Sequence, residues 1–204
     1  MFLNNLTLLF APLFPSLIFK KESNKKVLWL TFDDGPCNEV TPWILTSLSQ
    51  LNVKATFFLV GNQIKKNPAL YELIIQQGHT IGNHSYSHKN GWTTSKKKYI
   101  DDIEKCEKLL KNNDLFRPPY GKLTFSQIKK IKSRYKIILW DVLSWDFKRN
   151  ITSEKIKQTV LNNVKPGSII VFHNNMKSYP KLKSCLVEIV TELKDLGYSF
   201  STTW

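Results

Sequence analysis

The feature that most constrains this chain is an alternation that begins at Val27 and continues to the C-terminus. Short apolar runs rich in β-branched and aromatic residues recur at Val27–Phe32, Ala55–Val60, His79–Gly82, Leu115–Phe116, Ile137–Asp141, Ser168–Phe172 and Tyr198–Ser201. Between them lie stretches with apolar residues at helical spacing: Pro42–Leu51, Pro68–Gln77, Ser95–Lys111, Phe125–Arg134, Ser153–Asn163 and Lys181–Leu196. Short runs without polar alternation suit strands buried on both faces, and strands separated by helices need crossover connections. Seven strands and six helices in alternation predict an α/β domain with a largely parallel sheet. The helix ends agree. Thr41-Pro42 and Asn67-Pro68 read as an N-cap followed by Pro at the first helical position. Gly78 and Gly197 stand where C-terminal glycines belong.

At 204 residues and 42% hydrophobic content, the chain can build one sizeable core, and one domain is expected. Thirty Lys and Arg against 16 Asp and Glu give a formal charge of +14, which raises nucleic acid, an anionic membrane surface or an anionic polymer as partners. The basic runs are short (Lys20-Lys21, Lys25-Lys26, Lys96-Lys97-Lys98, Lys129-Lys130), and none interleaves aromatics as a base-stacking platform would. They read as solvated faces, and no nucleic-acid partner is expected. Cys37, Cys106 and Cys185 are odd in number and lack CxxC spacing, so neither a disulfide framework nor a cysteine zinc site is indicated. Cys106 shares an apolar face with Ile100, Ile103 and Leu110, and Cys185 with Leu182, Leu186 and Ile189, which marks both as core residues.

Residues Phe2 to Phe19 carry no charge, but Asn4, Asn5, Thr7, Pro12, Pro15 and Ser16 interrupt the run. The positive charges follow it rather than precede it. Residues 1–26 are therefore expected to form an apolar arm on a domain spanning 27–204, in preference to a signal or anchor. A monomer without membrane contact is the matching expectation, cytoplasmic in preference to membrane-anchored or exported through residues 2–19.

In parallel α/β folds the reactive groups gather beyond the C-terminal ends of the strands. The first predicted strand is followed by Asp33-Asp34 and the third by Asn83-His84-Ser85-Tyr86-Ser87-His88. Arg117-Pro118-Pro119-Tyr120-Gly121 follows the fourth; the fifth leads to Asp141, Trp145 and Asp146, and the sixth to His173-Asn174. Singly, each is commonplace: an adjacent carboxylate pair is usually a turn, and HxxxH often a surface pair. Their placement on one rim is what points to a site. His79, at the start of its strand, falls at the opposite end and reads as structural.

His84 and His88, four apart, face one way on a helical turn, and two His with one carboxylate make the ligand set of a catalytic metal. Adjacent strand-end carboxylates diverge, so one of Asp33 and Asp34 can serve the metal and the other act as general base. A metal held there acidifies water and polarises a carbonyl. His173 can protonate a leaving group, and Arg117 can keep an aspartate ionised through a bidentate pair.

TFDDGP, HSYSH, RPPYG, WDVLSWDF and VFHN, in this order, resemble the five motifs of the polysaccharide deacetylase (NodB-homology) family, carbohydrate esterase family 4, over nearly the whole chain from Val27. The resemblance implies an irregular (β/α)7 barrel that removes N-acetyl groups from N-acetylglucosamine units of peptidoglycan or chitin-like substrates. It implies Asp33 as catalytic base and Asp34, His84 and His88 as ligands of zinc, with cobalt or manganese sometimes accepted. It implies Arg117 as the residue orienting the base, the Tyr120 backbone N–H as oxyanion donor and His173 as general acid. Trp145, Pro118, Tyr120 and Val171 then contact substrate. Two positions depart from the family pattern. Ser144 stands where an aspartate commonly tunes the acid histidine, leaving Asp141 or Asp146 to do so, and Val171 replaces a leucine. Two other readings stand beside this one: a metal-dependent hydrolase of another small amide or acyl ester, and a saccharide-binding module that has lost turnover, which Ser144 motivates.

Overall fold

The computed structural model describes residues 15–111 and 113–204. The strands are β1 (Leu17–Ile18), β2 (Val27–Asp33), β3 (Thr56–Leu59), β4 (Thr80–Asn83), β5 (Leu115–Phe116), β6 (Lys136–Ile138), β7 (Val142–Leu143), β8 (Ile169–His173) and β9 (Ser199–Phe200). The helices are α1 (Val40–Gln50), α2 (Gly61–Lys66), α3 (Pro68–Gln76), α4 (Lys96–Glu107), α5 (Phe125–Ile131), α6 (Ser153–Leu161) and α7 (Tyr179–Asp195), with a 3-10 turn at Pro119–Gly121. The sheet runs β1-β6-β5-β4-β3-β2-β8-β7, with β9 beside β2, and every ladder is parallel. An antiparallel bridge between Lys20 and Ser168 ties the chain after β1 to the start of β8, curling the sheet towards closure. The expected α/β barrel is what forms.

Strand periodicity divides the core. In β2, Leu28, Leu30 and Phe32 point outward under the helices, while Trp29 packs inside with Phe58, Leu115, Ile138 and Ile169. Trp204 plugs this lower layer: its ring meets Trp29 and Phe58 and its indole N–H donates to Thr56 Oγ1 at 3.0 Å. Cys106 and Cys185 lie in the outer cluster, as their faces predict. The lysines of 96–98 and 129–130 are exposed.

Several local expectations change. The N-terminal segment contributes a strand: Leu17–Ile18 pairs with Ile137–Ile138. Residues 1–14 lie outside the described part. The strand expected over Ile137–Asp141 ends at Ile138 as β6, and a separate β7 follows it; between them the Asp141 carboxylate accepts from the Ile169 N–H and the Ser168 hydroxyl, each at 2.7 Å. Helix α1 starts at Val40, so Thr41 lies inside it, with Oγ1 accepting from the Cys37 N–H at 2.8 Å. Asn67 occupies the N-cap position of α3 with Pro68 next, but its Nδ2 donates to the Pro36 and Gln63 carbonyls and its side chain makes no capping bond; Gly78 (φ +75°) and Gly197 (φ +83°) adopt the left-handed conformation that ends α3 and α7. Helix α2, six residues long, carries too short a pattern to be read from periodicity.

Candidate active site

Above the apolar floor, the interior changes character within two residues. Arg117, fully buried, sits with its guanidinium carbon 4.1 Å from the Phe58 ring centre. Its Nη1 donates to Asp33 Oδ1 at 2.7 Å and to Thr31 Oγ1 at 2.6 Å, its Nε to the Ile138 carbonyl at 3.3 Å and its Nη2 to the Leu139 carbonyl at 3.1 Å. The expected bidentate pair is instead a single bond, because the other donors are taken by backbone carbonyls at the end of β6. Burial weakens the guanidinium's hold on its proton and Asp33 opposes that. Asp33 is thereby fixed from below, pointing up out of the barrel.

Asp34 leaves the strand at φ +80° and points away from Asp33. Its Oδ1 lies 3.2 Å from His88 Nε2 and 3.7 Å from His84 Nε2. Burial works against its ionised form, but the hydrogen bond from His88 and the charge of His173 outweigh it, holding the carboxyl well below the usual carboxylate range. One ligand atom each from Asp34, His84 and His88 falls within 4.8 Å of the others. His84 Nδ1 lies 2.7 Å from the Arg117 carbonyl, which only accepts, so Nδ1 carries the proton and Nε2 keeps its lone pair towards Asp34. Burial pushes His84 down to about 4, against the pull of Asp33, so the ring is neutral. A neutral-nitrogen, nitrogen and carboxylate-oxygen set held this close fits a divalent metal.

The two histidines do not come from a helical turn. Residues 84–88 form a loop in which Ser85 (φ 61°) and His88 (φ 55°) take left-handed conformations. Buried Asp102 of α4 holds it, accepting from the Tyr86 N–H (3.0 Å), the Ser87 N–H (2.9 Å) and the Ser87 hydroxyl (2.7 Å). Gly61 lets the loop approach, since a Cβ there would stand 2.6 Å from the Tyr86 ring. Asp102 belongs to no motif, although a carboxylate on the apolar stripe Tyr99, Ile100, Ile103, Cys106 is a signal that could have found it.

On the neighbouring strand, β8 aligns His173 with Asp33. Asp146 Oδ1 lies 2.7 Å from His173 Nδ1, and its Oδ2 accepts the His173 N–H at 2.8 Å. Burial disfavours the imidazolium, but the Asp146 charge and hydrogen bond overcome it and push His173 up to about 9. Of the two aspartates considered, Asp146 alone reaches His173; Asp141 is spent at the other end of β8. Ser144 is buried and its Oγ accepts from the Asp146 N–H at 3.3 Å. The aromatic wall here is Trp145 and Phe147, the latter edge-on to His173 at 4.9 Å between ring centres. Val171, fully buried, lies one interior position below His173. Pro118 is buried, and Tyr120, 59% exposed, packs on His88 with 4.6 Å between ring centres.

Among the described residues, six non-glycines have positive φ, and five of them are Asp34, Ser85, His88, Tyr120 and Trp145 on this rim. The sixth, Asn52, follows the end of α1, an ordinary place for Asn in that conformation. Strained backbone concentrated where side chains converge is the mark of a site shaped for function.

Comparison with known proteins agrees with this geometry. The family described as polysaccharide deacetylase matches residues 20–135. A peptidoglycan-N-acetylglucosamine deacetylase of Bacillus cereus is 38% identical over 90% of this chain and 69% of its own length. The crystal structure of the Bc1960 peptidoglycan N-acetylglucosamine deacetylase superposes with a TM-score of 0.89 at 36% identity, over 94% of this chain and 93% of that one. A CE4 family pseudoenzyme from Bacillus anthracis superposes with a TM-score of 0.83 at 30% identity, over 91% of this chain and 66% of its own. The chain belongs to the polysaccharide deacetylase family, carbohydrate esterase family 4.

Proposed function

We propose that this chain is a zinc-dependent hydrolase that removes the acetyl group from N-acetylglucosamine units of peptidoglycan. The observation that carries the reading is the pair of independently held groups at register-paired ends of neighbouring strands beside the Asp34–His84–His88 cluster: Asp33 fixed by Arg117, and His173 fixed by Asp146. A divalent ion on Asp34, His84 and His88, zinc first with cobalt or manganese as substitutes, would acidify water and polarise the acetyl carbonyl. Asp33, held by the Arg117 guanidinium, takes the proton of the attacking water. The oxyanion that forms as water adds to the acetyl carbon meets the Tyr120 backbone N–H. His173, kept protonated by Asp146, delivers its proton to the amide nitrogen as the C–N bond breaks, so acetate and a free amine depart. Trp145, Pro118 and Val171 enclose the acetyl methyl. The names of the B. cereus relatives support N-acetylglucosamine, and the basic balance of the chain suits an anionic wall polymer.

The lapsed-module reading rests on Ser144, and Asp146 supplies the carboxylate that Ser144 lacks. The test is acetate release from N-acetylglucosamine oligomers and from peptidoglycan, with zinc-loaded protein, its chelated form and Asp33→Asn side by side. Acetate from the loaded parent alone is the expected result. Intact metal binding with no acetate from any substrate would sink the proposal.

A further inference from the structure

Asn175 belongs to none of the motifs that define the site, yet it touches one of the site's carboxylates. Its Nδ2 donates to Asp34 Oδ2 at 2.7 Å. The amide cannot be turned over without loss, because its Oδ1 accepts the Ser178 N–H at 3.0 Å at the start of α7, where only an oxygen serves. The backbone brings it there by register: β8 pairs Asp33 with His173, and the Asn174 N–H donates to the Asp33 carbonyl at 2.7 Å, setting Asn175 over Asp34.

Asp34 thus has its two oxygens assigned to different neighbours. Oδ1 faces His84 and His88, and Oδ2 is engaged by Asn175. We propose that Asn175 is a positioning residue that holds Asp34 as a one-oxygen metal ligand, with Oδ1 aimed between the two histidines. A carboxylate free to swing can offer both oxygens and fill a position needed by water or substrate; an amide donor on Oδ2 removes that option. The inference rests on the reading of Asp34, His84 and His88 as metal ligands.

Two substitutions separate this role from helix capping. Asn175→Asp keeps an oxygen for the Ser178 N–H but sets a carboxylate against Asp34 Oδ2. Asn175→Ser keeps a capping oxygen and removes the amide donor. Zinc affinity is measured by competition with a chromogenic chelator, cobalt-loaded protein is followed by its visible absorption spectrum, and melting of the metal-free protein checks the fold. Both variants should still melt in a single cooperative transition, bind zinc about 10–100-fold more weakly and show an altered cobalt spectrum. Parent-like zinc affinity and an unchanged cobalt spectrum in both would overturn the proposal. A parent that binds zinc but releases no acetate would defeat the functional reading and leave this one standing. A parent that binds no zinc would end both.

Discussion

A buried and a half-buried histidine mark the two ends of the barrel, and the same loss of water acts on both with opposite results. At the lower end His79 is 6% exposed, its Nδ1 accepts the Ala55 N–H at 3.2 Å, and its ring meets the edge of Phe57. Burial, reinforced by the charge of Lys54, pushes it down to about 4. At the rim the His173 side chain is 15% exposed, and burial again disfavours its charge, but Asp146 pushes it up to about 9. Burial alone makes a histidine a neutral packing residue; burial beside a fixed carboxylate makes it a proton donor at neutral pH.

The opposite shifts impose opposite pH slopes on the metal-free protein. The folded His79 binds its proton more weakly than the unfolded one does. Its stabilising effect is present above pH 6.5 and lost as pH falls towards 4. The folded His173 binds its proton more tightly, so its contribution is complete below pH 6.5 and lost as pH rises through 9.

Three experiments break or sharpen the contrast between a charged rim and a neutral base. The largest effect is expected at the rim from Asp33→Asn, which should keep the metal and lower kcat by about 10²–10⁴-fold. The variant should also melt earlier, since breaking a buried ion pair costs about 3–5 kcal/mol. Full activity would remove Asp33 as the base.

Next in size is Asp146→Asn, which should make His173 resemble His79. Without the carboxylate, burial dominates and the proton is lost at lower pH. Amide hydrolysis should then fall roughly tenfold for each pH unit by which the assay lies above the new pKa. Activated esters, whose leaving groups need no proton, should be hurt less. Equal losses on both substrates would contradict the acid role.

The smallest effect is expected at the base. His79→Asn keeps an oxygen acceptor near the Ala55 N–H and removes the titrating ring. It should leave acetate release intact and flatten the fall in melting temperature between pH 6.5 and 4. Across that window only the unfolded ring is protonated, and each pH unit removes about 1.4 kcal/mol of stability. An unchanged acid slope would show that other groups govern it.

Much of this arrangement is legible in the chain. The strand ends carry their chemistry in plain order, because in a parallel α/β fold the C-terminal residue of each strand faces the same rim whatever the loops do. That is why Asp33, Asp34, Arg117 and His173 stand together on the rim where their strand ends place them. The loops are less legible. His84 and His88 are four apart, yet a loop held by Asp102 from sixteen and fifteen residues downstream brings them together, and no local period reports that contact. Asn175 is hidden for the same reason, its partner being 141 residues away.

The sequence by itself determined the alternation of strands and helices, the curled parallel barrel that follows from it and the family to which the motifs belong. These depend on local periodicity and on residue types at element ends. Tertiary structure decided which of two aspartates serves His173, that Arg117 meets Asp33 by one bond rather than two, and which oxygen of Asp34 faces the histidines. Each of these is a choice between alternatives within a few ångströms, settled by strand register and by the backbone groups that compete for the same donors.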